Sequence, residues 1–155
     1  MTDISLTCSA EVDRPAAAAW AAVADYRRDV EWRTGVLAMA PDPPGPVGPG
    51  TTASEDIRVA GRTWHNDGLV TELVPGVRFA WRTTSGADAE GSRTVEPLGP
   101  DRCRVTLTLT VRPHGAERLI RPLAARQLRR DLARDLARLG RLLATDADRT
   151  APVDA

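Results

Sequence analysis

Between His114 and Ala144 the leucines Leu128, Leu132, Leu136, Leu139 and Leu143 advance by four, four, three and four residues, which sets all five on one face of a helix. A stripe of that kind has to lie on something apolar. The chain just before it supplies the partner: Cys103, Val105, Leu107, Leu109 and Val111 alternate with Arg104, Thr106, Thr108, Thr110 and Arg112. Such alternation describes an antiparallel strand covered on one face and wet on the other. A sheet with one apolar face, roofed by one long helix, is the architecture these two stretches demand together. Pro122 inside the helical stretch predicts a kink or break.

The rest of the chain fits the same plan. Residues 3–12 alternate strictly, with Ile4, Leu6, Cys8, Ala10 and Val12 on one side of a strand. Asp13-Arg14-Pro15 is a helix opening with Asp13 as its N-cap, followed by a helix over Ala16–Asp25 and a second short one over Tyr26–Trp32. Val36–Ala40 reads as a brief strand. Thr51–Val59, Arg62–Leu73, Val77–Thr84, Ala89–Val95 and Arg102–Val111 read as a meander. The Pro- and Gly-rich segment Pro41–Gly50 excludes helix and central strand. A linker there would leave a piece too small to fold unaided, so it is read as a long loop. One domain over residues 1–145 is expected, with 146–155 as a flexible tail.

The turns propose registers. Val74-Pro75-Gly76-Val77 suits a type II turn, which sets Val70 opposite Trp81. The Gly99–Asp101 turn sets Val95 opposite Val105 and Arg93 opposite Leu107. Ala60-Gly61 sets Ile57 opposite Trp64 and Glu55 opposite Asn66, although Ala-Gly is a poor hairpin turn. Trp64, Asn66, Gly68, Val70, Phe79, Trp81 and Arg93 then share the inward face, and Gly91 lies against Trp81.

Composition excludes several classes of function. Of 155 residues, 42% are hydrophobic and 27% charged, with 21 basic and 21 acidic side chains in balance. The chain is thus neither a disordered tail nor a general nucleic-acid binder. It has no apolar run of about 18 residues for a membrane span and no basic-then-apolar opening for secretion, so a cytoplasmic protein is expected. Two cysteines and two histidines suit neither a disulfide framework nor a metal cage. With no phosphate-cradling glycine loop and no Gly-x-Ser-x-Gly, no metal and no cofactor are expected.

The order of strand, one or two short helices, six strands and a long C-terminal helix resembles the helix-grip fold of the START-related SRPBCC superfamily. Within it the chain looks like the polyketide cyclase/dehydrase and lipid-transport group. Four stretches carry the likeness: the opening strand into Asp13–Tyr26, then Glu31-Trp32, Val70–Trp81, and the tail Arg118–Arg130. The resemblance spans Ile4 to Ala144. It implies an α+β fold, with a curved antiparallel sheet of about seven strands wrapped on the C-terminal helix. It also implies a cavity between them that holds a small hydrophobic or polycyclic molecule. Two functions follow: a binding or carrier protein that leaves its ligand unchanged, or a cofactor-independent aromatase/cyclase that assists aldol closure and dehydration. A monomer and a homodimer both remain open.

Candidate residues follow from the inward faces. Trp32, Trp64 and Trp81 are read either as an aromatic platform for a flat ligand or as ordinary core; Phe79 is placed beside them as a ligand contact, and Trp20 is assigned to the core. Glu55, Asn66 and Arg93 are polar residues pointing inward. All three are candidates for catalysis and Asn66 and Arg93 also for ligand binding, with Glu55 as acid or base if its surroundings are apolar and Arg93 as holder of an enolate, phenolate or carboxylate. Equally, they satisfy one another, Glu55 with Asn66 and Glu72 with Arg93. His65 is expected to face away from the cavity and His114 to cap or meet solvent. Cys8 and Cys103 lie on strands that neighbour each other in the helix-grip fold, and are read as buried free thiols. The stretch from His114 to Ala144 carries eight arginines against three acids, read as a solvated face in preference to a surface for anionic lipid or nucleic acid.

Overall fold

The computed structural model describes residues 3–152. β1 (Ile4–Val12) is followed by helix α1 (Ala16–Val23), a 3₁₀ turn (Tyr26–Arg28) and the one-turn helix α2 (Asp29–Trp32). The strands β2 (Val36–Asp42), β3 (Thr52–Val59), β4 (Arg62–Val74), β5 (Arg78–Ser85), β6 (Ala89–Gly99) and β7 (Arg102–Val111) come next. A 3₁₀ segment (Gly115–Ile120) leads into helix α3 (Arg121–Thr150). The seven strands form one curled sheet in the order β1-β7-β6-β5-β4-β3-β2, and every neighbouring pair is antiparallel. This is the helix-grip architecture expected from the element order.

Registers follow the apolar pattern. Val95 pairs with Val105, Arg93 with Leu107, Ile57 with Trp64, Glu55 with Asn66, Trp81 with Gly91 and Val70 with Trp81. One detail differs. The turn closes with Val77 N donating to Val74 O at 3.0 Å, but Val74 pairs with Arg78, one residue off the expected register. A bulge between Val70 and Glu72 absorbs the slip and restores the Val70–Trp81 pairing. Because side chains alternate with a period of two, this extra residue turns Glu72 outward and Leu73 inward. Glu72 therefore pairs with Arg78 at 2.7 Å, not with Arg93 as expected.

The core sits under the C-terminal half of α3. Leu136, Leu139 and Leu143 pack on Val95, Cys103, Val105 and Leu107 of the sheet and on Val23 and Trp32. Each of those leucines is essentially removed from water, a gain of about 1.5–3 kcal/mol apiece. A second, smaller cluster gathers Phe79, Tyr26, Val70, Ala53 and Val47. Val47 belongs to the Pro- and Gly-rich loop. Its N–H donates to Ala24 O at 2.7 Å, which ties the loop to the end of α1.

Other expectations change at element ends. Of the kink or break expected at Pro122 the structure has the break: the 3₁₀ segment ends at Ile120 and Pro122 stands in the first turn of α3, where its missing N–H leaves no carbonyl of the helix unpaired. Pro15, not Asp13, is the N-cap residue of α1, and no side chain caps that end. β2 runs through Pro41 to Asp42, which an edge strand tolerates. α3 continues past the expected start of a flexible tail to Thr150, and Asp146 holds Arg28 at 2.9 Å; residues 153–155 lie outside the described residues.

Candidate functional site

Arg93 enters the concave space from the middle of β6, and only 5% of its side chain meets solvent. A buried guanidinium needs its charge and its N–H groups answered. Asp29, at the start of α2 and fully buried, takes Nη1 at 2.8 Å and Nη2 at 2.6 Å, and Nη1 also donates to Val23 O at 2.9 Å. The rings of Trp32, Tyr26 and Phe79 stand 5.1, 5.2 and 5.4 Å from the guanidinium carbon. This aromatic cage adds cation–π attraction on faces that supply no hydrogen bonds.

The charges continue outward in alternating sign. Arg33, one helical turn after Asp29, places Nη1 3.1 Å from Asp29 Oδ2 and 2.9 Å from Glu55 Oε1. Burial opposes the charge on Arg33, but Glu55, Asp29 and Asp135 outweigh it and hold the guanidinium above its ordinary range. Glu55 Oε1 is buried and lies off the line of the Arg33 N–H, so it has no hydrogen-bond partner among the described residues. Asp135 of α3 accepts the Thr34 N–H at 2.5 Å, and burial pushes its carboxyl up. Burial likewise pushes the Tyr26 phenol to about 12, keeping it neutral.

Beside this chain of charges lies a cavity of about 40 Å³. Tyr26, Met39, Ala53 and Trp81 give it apolar walls, and Arg33, Glu55, Asn66 and Arg93 give it polar ones. A Cβ at Gly91 would collide with the Thr108 carbonyl and with the Trp81 ring, so glycine is what lets the indole lie flat on β6. The cavity has room for a few waters at most. It is far below the roughly 300–1,000 Å³ of a drug-sized site expected from the few aromatic residues, because Arg93 and its ion partners occupy the space. A broader groove of about 370 Å³ on the sheet's other side runs past Ala80 and Gly91 between Glu72, Arg78, Arg82 and Glu90. Its charges are largely paired, Arg78 with Glu72 and Glu90 with Arg112.

The candidate residues fall in different places. Glu55, Asn66, Trp81 and Arg93 all border the cavity. Phe79 is fully buried beneath Arg93 and Trp32 is fully buried in the core. Trp64 is half-buried near the β3–β4 turn, with the Arg62 guanidinium 3.9 Å above its ring, and does not line the cavity. Glu55 and Asn66 are opposite in register but do not bond to each other: Glu55 meets Arg33, and Asn66 Oδ1 accepts the Ala87 N–H at 2.9 Å. Nor is Glu55 in the apolar setting proposed for an acid or base, with a guanidinium against it. Arg93 spends three of its five N–H donors on Asp29 and Val23, and its charge is already answered by Asp29.

His65 lies outside, between Asp56 at 2.6 Å and Asp67 at 3.5 Å, and the Asp56 hydrogen bond raises its pKa. His114 caps the 3₁₀ segment, where it and Glu117 form a capping box. Cys8 pairs with Leu107 and Cys103 with Val12, so the two free thiols are four residues out of register along β1 and β7, about 13 Å apart. Cys103 is buried, but Cys8 is only half-buried.

Asp29, Arg33 and Tyr26 were not singled out from the sequence. The available signal was Asp29 and Arg33 four apart on a short helix beside an inward arginine that required a counter-ion.

A curled sheet gripping a long helix, with a mixed apolar and polar cavity on its concave side, defines a class of helix-grip proteins. Within it the sequence matches the family model described as polyketide cyclase/dehydrase and lipid transport over residues 3–144, and the chain belongs to that family. No curated protein is significantly similar to it. Among solved structures, a START superfamily protein from Mycobacterium smegmatis superposes with a TM-score of 0.73 at 15% identity, covering 91% of this chain and 97% of that one. A Thermus thermophilus protein gives 0.80 at 16%, covering 92% and 99%. The Zhui aromatase/cyclase from a Streptomyces species gives 0.72 at 16%, covering 97% of each. At these identities the likeness is one of fold. Among the described residues no helix is long and apolar enough to cross a membrane.

Proposed function

We propose that the chain is a binding or carrier protein for a small hydrophobic molecule with a flat, aromatic part, held against the concave face of the sheet. The observation that carries this reading is the cavity itself: Trp81, Tyr26 and Met39 form apolar walls beside the polar atoms of Glu55 and Asn66. A few placed polar groups in an apolar setting orient a ligand without anchoring it by charge. Because the cavity measures about 40 Å³, a polycyclic ligand enters only if the concave face widens. No residue of α3 lines the cavity, so the widening falls to β2–β5 and the loop after α2.

Titration of the purified protein with polycyclic aromatic ligands, read by tryptophan fluorescence, tests the proposal. Saturable quenching that Trp81→Ala weakens by roughly tenfold supports it, the scale expected for losing one aromatic platform. Native mass spectrometry of protein from its own host identifies the molecule. No saturable binding and no copurifying molecule would overturn it.

A second reading, an aromatase/cyclase-type enzyme, draws on the likeness to the Streptomyces aromatase/cyclase and on Glu55, whose buried Oε1 makes no hydrogen bond beyond its ion contact with Arg33. In that reading Glu55 moves the proton and the Asn66 amide or Tyr26 hydroxyl donates to the developing enolate. Arg93 acts only as the positioning ion that holds α2. Loss of turnover of an identified poly-β-ketone in Glu55→Gln, with ligand binding retained, separates the two readings.

A further inference from the structure

The two halves of the C-terminal helical region carry different charge. From residue 131 to 150 four arginines are matched by four aspartates. From 115 to 130 five arginines (Arg118, Arg121, Arg126, Arg129 and Arg130) face one acid, Glu117, in a chain whose overall charge is zero. Glu117 is itself turned toward Arg62 at the β3–β4 tip, 3.9 Å away.

The same stretch exposes its apolar side chains. Leu119 is 85% exposed, Leu123 69% and Ile120 57%, the densest group of exposed large hydrophobic residues in the described chain. Leu123, Arg126 and Arg130 follow helical spacing on α3, and Leu119 and Ile120 end the 3₁₀ segment just before it, so exposed apolar side chains lead directly into exposed arginines. Arg126, Arg129 and Arg130 are exposed and form no ion pair among the described residues. A solvated face explains the arginines but not the leucines. A second copy of the chain would cover the leucines while bringing like charges together.

An anionic bilayer answers both features, with headgroups meeting the arginines and the acyl boundary receiving Leu119, Ile120 and Leu123. We propose that Gly115–Arg130 is a docking surface for anionic membranes. It holds the protein at the interface peripherally, without spanning. The patch stands beside the β3–β4 tip, where Glu117 faces Arg62.

The full chain is tested by cosedimentation with vesicles of phosphatidylcholine alone and of phosphatidylcholine with phosphatidylglycerol. Binding is expected to the anionic vesicles and to weaken as salt rises. Arg126→Gln with Arg130→Gln should lower the partition constant by roughly tenfold or more. Leu119→Ser with Leu123→Ser should lower it comparably. Because all four residues are exposed, circular dichroism and melting temperature should stay unchanged; if the leucine pair misfolds, the arginine pair decides. Failure to bind anionic vesicles overturns the proposal, as does binding that survives both pairs of substitutions. A dimer in light scattering that Leu119→Ser and Leu123→Ser dissociate, without vesicle binding, assigns the patch to a second copy and also overturns it.

Discussion

The interior has two sides that are equally hidden from water and built from opposite chemistry. Under the C-terminal half of α3, Leu136, Leu139 and Leu143 meet Val95, Val105 and Trp32 in a dry core. A few ångströms toward the helices after β1, Arg93 and Asp29 are as deeply buried, but as an ion pair inside a ring of aromatic side chains. Depth alone does not dictate apolar residues; what differs is the task. The leucines hold a helix on a sheet through area that any well-shaped apolar group supplies. Arg93 spans from the sheet's centre to the end of α1 and the start of α2 with directed bonds, and so fixes where those helices sit. Asp135 stands on the seam, one residue before Leu136, reaching from the leucine helix to the loop after α2.

The largest effect should come from breaking the ionic side. Asp29→Ala leaves the Arg93 guanidinium buried without a counter-charge and is expected to cost about 3–5 kcal/mol, a large share of a domain's total stability. Asp29→Leu combined with Arg93→Met should recover most of that loss, since a buried pair replaced by apolar groups is often neutral. Urea unfolding of the three proteins measures it. If Asp29→Ala costs less than about 1 kcal/mol, the pair behaves like a surface salt bridge and the contrast disappears.

On the dry side, Leu139→Ala should cost about 2–5 kcal/mol through lost burial and the cavity left behind. Leu123→Ala, on the exposed turn of the same helix, should change stability by no more than about 0.5 kcal/mol. Comparable losses at the two positions would mean that the exposed half of α3 is packed in solution.

How far each side was legible in the sequence follows from range. The Leu128–Leu143 stripe and the alternation of Cys103–Val111 are local patterns, so helix, strand, facing and even the Arg93–Leu107 register could be read from neighbours along the chain. The ionic side is not local: Arg93 and Asp29 are separated by 64 residues, and nothing in a linear pattern pairs them. Unbroken alternation through Thr71 places Glu72 inward, and the bulge there turns it out. The cavity was overestimated for a related reason. Few aromatic residues suggested empty space, but a long arginine with its partners fills volume as a large ring would. Trp32 and Phe79 carry the right residue type for a ligand platform, yet they spend their faces on Arg93.

Asp135 lets the seam be probed by pH. Burial raises its folded-state pKa above the ordinary 3.8, so the folded protein binds this proton more tightly than the unfolded chain does. The stability it contributes is therefore present below that ordinary value and lost as pH rises through the folded pKa. Asp135→Asn keeps an acceptor for the Thr34 N–H and removes the charge. Its stability relative to the wild type should rise from acid toward neutral pH and then level off. Unfolding midpoints measured across that range check it; a difference that stays flat, or that falls with pH, would show that pairing with Arg33 dominates over burial.

The smallest effect tests how Glu55 comes to stand under Arg33. Its position depends on the β3–β4 register, which the two-residue turn Ala60-Gly61 sets by pairing Val59 with Arg62. Both turn residues have positive φ, 50° at Ala60 and 80° at Gly61, so the turn needs a left-handed conformation that alanine resists by about 1–2 kcal/mol. Glycine would relieve the strain but return about 0.5–1 kcal/mol as added freedom in the unfolded chain. Asparagine tolerates the conformation and keeps a side chain, so Ala60→Asn should stabilise the protein by about 0.5–1 kcal/mol, a rise of roughly 1–4 °C in melting temperature. Because Ala60 is exposed, no packing term competes. A neutral or lower melting temperature would mean that the hairpin end relaxes without the strained turn, and the register holding Glu55 against Arg33 would then rest on the strands alone.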